Sequence, residues 1–177
     1  MTHKISLGFC NWLNVPEWTI ANLVTWAKKW IQELQNHVVA TTEKVPAQFQ
    51  KFTQFLPGNY IDATPFNMIV DNNGRGRFFD IKWDFGSNIP IQLTILRGLF
   101  MSLSRVPFCA KPQNGVPHNI LSISISILQQ LEFQLDNGDV ELFVSEIIKF
   151  QNRANGVIST NNDAMNNWLR NSQLIAR

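Results

Sequence analysis

The spacing of apolar residues changes several times along the chain, and each change marks an expected element. Ile20, Leu23, Val24, Ala27, Trp30, Ile31, Leu34 and Val38 recur at helical spacing, with Lys28, Lys29, Gln32, Glu33 and Gln35 on the opposite side. Pro16 suits a first helical turn, Asn14 stands nearby as a cap, and Glu17 complements the helix dipole. The pattern therefore predicts a helix over 16–39. Residues 1–15 read as irregular, with a short strand around 5–9. Thr41 to Lys44 is a polar connection, and Pro46 opens a shorter helix carrying Phe49, Phe52, Phe55 and Leu56. Pro57-Gly58-Asn59 ends it with turn chemistry.

The period then falls to two. Residues 60–86 read as strand, loop, strand, tight turn and strand. Phe66 to Val70 is rich in β-formers, and Asn72-Asn73-Gly74-Arg75-Gly76 is a turn whose Asn and Gly residues tolerate positive φ. On the return, Phe79, Ile81, Trp83 and Phe85 fall on one face and Asp80, Lys82 and Asp84 on the other. A strand with one wet face gives the same alternation, so this pattern supports a hairpin and nothing more.

Beyond Gly86 the helical period returns. Pro90 opens a helix to about Ser104 whose only charge before Arg105 is Arg97, which predicts burial on most sides and allows an ion pair with a carboxylate of the central stretch. Pro107 to His118 is a loop long enough to suggest a lid, an insertion or an interface. Asn119 caps a helix over about 120–135, although the run I-L-S-I-S-I-S-I alternates and a strand competes there. Asp136-Asn137-Gly138 reads as a turn, Val140 to Arg153 as an amphipathic helix, and residues 164–174 as a last helix anchored by Met165, Trp168 and Leu169, followed by a frayed tail. The sum is a mainly α chain with a small central antiparallel β hairpin, an α+β class. We read residues 1–177 as a single domain, with the central motif at 56–100 and C-terminal helices at 119–174.

Composition sharpens this in two ways. Hydrophobic residues make up 45% and charged residues 16%, with six Trp and thirteen Phe, so either the core is unusually aromatic or another chain or domain covers an aromatic surface. A net charge of +2 without a clustered basic run argues against nucleic acid. Cys10 and Cys109 have neither metal nor disulfide spacing, no run is long enough to span a membrane, and the N-terminal residues lack a signal-peptide pattern, so the expected location is the cytoplasm.

The candidate chemistry lies in the central stretch. Phosphoryl transfer needs a residue to position the attacking hydroxyl and hard oxygen ligands for Mg²⁺. Asp62-Ala-Thr-Pro-Phe-Asn67 has the D-x-x-x-x-N spacing of kinase catalytic loops, and Asp80 follows across the Asn-Gly turn. Here the chain resembles the C-terminal lobe of the protein-kinase and aminoglycoside-phosphotransferase superfamily. The run P-G-N-Y-I-D-A-T-P-F-N-M-I-V, then F-F-D-I-K-W and R-G-L-F, looks like a region at the C-terminal end of some bacterial methyltransferases and glycosyltransferases acting on surface polysaccharides. The resemblance implies Asp62 as the catalytic hydroxyl positioner and Asn67 and Asp80 as ligands of Mg²⁺ carrying ATP. Asp84, within a literal Asp84-Phe85-Gly86, is the alternative metal aspartate. A sugar hydroxyl is the implied acceptor.

The departures matter. Tyr60-Ile61 replaces the His-Arg pair that precedes a kinase aspartate, and Lys82 puts a cation beside the metal position. Before residue 60 there is no Gly-rich phosphate loop, since the only glycines are Gly8 and Gly58. Two functions follow as expectations: a phosphotransferase-like module of polysaccharide modification, or a non-catalytic docking or scaffold domain of a methyltransferase or glycosyltransferase.

Overall fold

The computed structural model describes residues 3–4, 11–40, 43–154, 156 and 163–177. The strand expected around 5–9 lies outside them. The described chain is mostly helical, with two small antiparallel sheets, and no described helix is long and apolar enough to cross a membrane.

Helix α1 runs over Ile20–Gln35 rather than 16–39. Its true cap is Thr19, whose hydroxyl accepts the Asn22 N–H at 3.3 Å while Asn22 Oδ1 accepts the Thr19 N–H at 2.8 Å. This is a capping box with Asn in place of the usual Glu or Gln. Upstream, tertiary pairing claims the backbone. Glu17 sits at φ +61° and donates its N–H to the Lys111 carbonyl at 2.8 Å, and Trp18 Nε1 donates to the Ala110 carbonyl at 2.8 Å. Pro16 and Glu17 are therefore outside the helix they were expected to open.

The second expected helix shrinks to one 3₁₀ turn, Ala47–Phe49. Strand β2 (Phe55–Leu56) then pairs with β5 (Ile89–Pro90), Phe55 opposite Pro90 and Leu56 opposite Ile89. Phe49, Phe52, Phe55 and Leu56 are all buried. Their near-threefold spacing mimics a helix, but a turn followed by a strand buries them equally well.

In the centre, Gly58–Asp62 and Pro65–Asn67 are 3₁₀ turns, so the first expected strand is absent. The hairpin is present but short. Strand β1 (His3–Lys4) pairs with β3 (Met68–Val70), which pairs with β4 (Gly76–Phe78) in the register Met68–Phe78, Ile69–Arg77, Val70–Gly76. Asp71 closes the turn by accepting the N–H groups of Asn73 and Arg75 at 2.8 and 2.9 Å, which holds its carboxyl below the usual range. The return strand stops at Phe78. Asp80 lies at φ +55°, in the left-handed region, so the alternation over 79–85 does not describe a strand.

Helix α2 (Ile91–Leu103) buries every residue except Gln92 and Met101, as its lack of charge predicts. Gly98 is required there: a Cβ would stand 2.6 Å from the buried Trp30 ring and 3.2 Å from Pro65 Cδ. Helix α3 (Ile120–Gln130) starts at Asn119, whose Oδ1 accepts the Ser122 N–H at 3.0 Å. The I-S-I-S run is helical, and Ser124 and Ser126 donate to carbonyls four residues back, at 2.9 Å each. The helix ends in a Schellman turn with Glu132 at φ +65° and the Phe133 N–H on the Leu128 carbonyl. Helix α4 (Asn137–Ala154) begins earlier than expected because Asp136 and Asp139 accept each other's backbone N–H groups. Helix α5 (Asp163–Asn171) buries Leu169 and sets the Trp168 ring edge-on to Phe100, centroids 4.7 Å apart.

The 107–118 loop is a seam rather than a free lid. Its Ala110 N–H reaches the Leu13 carbonyl, Cys109 N–H the Ile175 carbonyl, and Leu174 N–H the His118 carbonyl. The C-terminal residues 172–177, expected to fray, are hydrogen-bonded along that seam, and Leu174 is buried. Among the described residues one continuous apolar cluster joins Leu13 to Leu174 and draws on each of the helices α1 to α5.

Candidate functional site

Two consecutive 3₁₀ turns position Asp62 and Asn67. Pro57 and Pro65 set the backbone entry to each turn, and the Asn67 N–H bonds the Thr64 carbonyl at 2.9 Å. The loop is held from behind by Trp30, whose Nε1 donates to the Ala63 carbonyl at 2.7 Å within the core. Its carboxylate is held from below by Arg97. Arg97 Nη1 donates to Asp62 Oδ1 at 3.1 Å and to the Ile61 carbonyl at 2.9 Å, and its Cζ lies 5.0 Å from the Phe150 ring centroid. The Asn67 amide nitrogen donates to the Asp62 carbonyl at 2.9 Å and to Asp62 Oδ2 at 3.4 Å.

Asp62 Oδ1 thus accepts from Arg97, while the Asn67 amide nitrogen approaches Oδ2 only at 3.4 Å. Burial pushes the Arg97 guanidinium below its ordinary pKa, and the Asp62 charge partly offsets this. A buried guanidinium needs a counter-charge, so the pair has a structural reason to exist without any substrate.

Asp80 stands in a different setting. Its Oδ1 is 2.6 Å from Lys82 Nζ, and the two side chains are 53% and 78% exposed. The carboxylate holds the Lys82 ammonium above its usual pKa. No hydrogen bond or ion pair among the described residues joins Asp80 to Asp62 or Asn67. Asp84, the alternative, accepts the Gly86 N–H at 2.8 Å and closes a local turn.

In the described geometry the Asp62 and Asp80 carboxylates each face a protein cation. Magnesium requires oxygens converging at about 2.0–2.1 Å in an octahedron, and usually one or two carboxylates. Here a lysine faces Asp80 and an arginine faces Asp62, while the Asn67 amide donates through its nitrogen to Asp62. Among the described residues no three His, Cys, Asp or Glu side chains come together. Clefts of about 230 to 380 Å³ on the described surface are lined by residues other than Asp62, Asn67, Asp80 and Asp84.

One cleft of about 270 Å³ reaches the central stretch and is lined by Phe85, Glu146, Lys149, Phe150 and Arg153. The Phe85 and Phe150 rings stack at 6.4 Å, and Arg153 Nη2 donates to the Asp84 and Phe85 carbonyls at 3.0 and 3.3 Å. Arg153 therefore ties α4 to the Asp84 turn. The amphipathic pattern of α4 revealed its apolar face but not this clamp, because a carbonyl partner leaves no trace in sequence. Arg97 was legible as a lone charge in an apolar helix. Comparison of the chain with protein families, characterised proteins and solved structures finds no match.

Proposed function

We propose that this chain is a non-catalytic, kinase C-lobe-like module that docks a partner protein, a methyltransferase or glycosyltransferase of bacterial surface-polysaccharide modification. The observation that carries the non-catalytic part is the Asp62 carboxylate, bound by Arg97 on one oxygen and approached by the Asn67 amide nitrogen at 3.4 Å on the other. That arrangement gives the carboxylate a structural role, as counter-charge to a buried guanidinium, that needs no substrate. The docking part is supported by exposed aromatics: Trp12, Trp83, Phe108 and Trp168 are each 38% to 45% exposed on a chain with little charge. The kinase-like part rests on the motif resemblance and on the order of the elements, a long helix, the Asp62–Asn67 turns, the hairpin and a buried helix.

The competing phosphotransferase reading keeps Asp62 as positioner and Asn67 and Asp80 as ligands of Mg–ATP. Calorimetric titration with Mg–ATP separates the two, with Asp80→Asn as control. The docking reading expects no heat of binding up to millimolar nucleotide. Saturable binding that disappears in Asp80→Asn overturns it.

A further inference from the structure

Helix α4 carries Glu146, Lys149, Phe150 and Arg153 on one face, at spacings of three and four, and Phe85 lies against that face from the Asp84 turn. The cleft of about 270 Å³ that these side chains line is at the small end of ligand sites. Its floor is apolar, because Phe150 is 2% exposed and stacks on Phe85. Its rim is charged. The Glu146 carboxylate is buried, and Lys149 Nζ donates to its Oε1 at 2.8 Å. The Lys149 side chain is itself 63% exposed, so one donor of the ammonium goes to the acid and two remain for a guest. Arg153 is held from the other end. Its Nη2 donates to the Asp84 and Phe85 carbonyls, and its Cζ lies 5.9 and 5.6 Å from the Phe85 and Phe150 ring centroids. Among the described residues its Nε and Nη1 donors have no acceptor. The Asp84 carboxylate accepts the Gly86 N–H and does not line the cleft.

We propose that this cleft binds a small organic carboxylate whose apolar body is about the size of one ring. The lining carries two cations and one anion, so a monoanionic guest brings it to neutrality. The Arg153 guanidinium is placed in advance by its carbonyl bonds and the rings beside it, and loses little freedom on taking a carboxylate. Glu146 does the same for Lys149 by fixing the ammonium above a buried acid. Phe85, half-buried, offers the apolar body a wall. An amine fits less well, because it meets the exposed Lys149 and Arg153 before the buried Glu146. Inorganic phosphate has no apolar body to set against Phe85. The inference goes beyond the docking reading and does not depend on it, since none of the cleft residues is among the exposed aromatics that support that reading.

The test titrates the full ¹⁵N-labelled chain at neutral pH with phenylacetate, beside 2-phenylacetamide and 2-phenylethylammonium, and follows amide chemical shifts. Phenylacetate should saturate in the millimolar range, as about ten non-hydrogen atoms allow, with the largest shifts at 85–86 and 146–153. Binding should weaken several-fold at ~0.3 M NaCl, and the neutral amide should bind roughly tenfold more weakly than the acid. Lys149→Gln keeps a donor for Glu146 and should weaken phenylacetate about threefold, and Arg153→Gln about tenfold. Because Arg153 also ties down the Asp84 turn, Arg153→Lys serves as a second variant: it keeps the charge, loses the fork and should fall between the two. No saturation at millimolar phenylacetate, shifts confined to other residues, equal binding of the amide, tighter binding of the ammonium, or an affinity indifferent to both Lys149→Gln and Arg153→Lys each overturns the inference.

Discussion

Asp62 and Asp80 were expected to share one site, and the fold treats them in opposite ways. Asp62 is 16% exposed, its partner Arg97 is 6% exposed, and the turn around it is held by Trp30 and crowded by Gly98 and Pro65. Asp80 and Lys82 pair in solvent on a loop with left-handed backbone. The same two charge types meet in both places, but in the first the pair completes a core and in the second it decorates a surface. An aspartate spacing therefore says little about chemistry until the cation opposite each carboxylate is known.

The comparison breaks most sharply at Asp62. Asp62→Ala leaves a buried guanidinium without its counter-charge and should cost ~3 kcal/mol by denaturant unfolding. Gly98→Ala drives a methyl into the Trp30 ring behind the same turn, and overpacking there should cost ~2 kcal/mol after the gain in helix propensity. Trp30→Phe keeps most of the packing but leaves the Ala63 carbonyl without its donor, for ~1–2 kcal/mol. Asp80→Asn and Lys82→Ala, made separately, should leave the thermal midpoint unmoved.

Acid sharpens the contrast from another side. Asp71, Asp136 and Glu141 are held below their ordinary pKa, chiefly by a backbone N–H for the first two and by Arg170 for the third. A folded-state pKa below the unfolded value contributes stability that is present above the unfolded pKa and is lost as pH falls through the folded one. The thermal midpoint should therefore stay level from pH 7 down to about 5 and fall below about 4. Asp136→Asn should make that fall shallower.

Much of the fold was legible from side-chain period alone. The core stripe of α1, the buried α2, the Asn119 cap and the Asn-Gly turn each follow from local chemistry. What escaped depends on partners distant in sequence. Glu17 leaves its expected helix because Lys111 takes its N–H, Phe55 becomes a strand because Pro90 lies opposite, and the tail is ordered by Cys109 and His118. The alternation over 79–85 misled because Asp80 adopts a positive φ that its residue type permits but does not announce. The site was legible as residues and not as geometry: Asp62 and Asn67 do meet, while Asp80 has Lys82, whose position in the sequence already placed a cation beside it.

The most direct test of the account is a double-mutant cycle on Asp62 and Arg97, using Asp62→Leu and Arg97→Met singly and together in urea unfolding. If the carboxylate serves the core, each single change should be costly and the double change should recover most of the loss, a coupling of ~2–3 kcal/mol. Additive losses, with coupling below ~0.5 kcal/mol, would contradict the account and return Asp62 to the list of residues kept for chemistry.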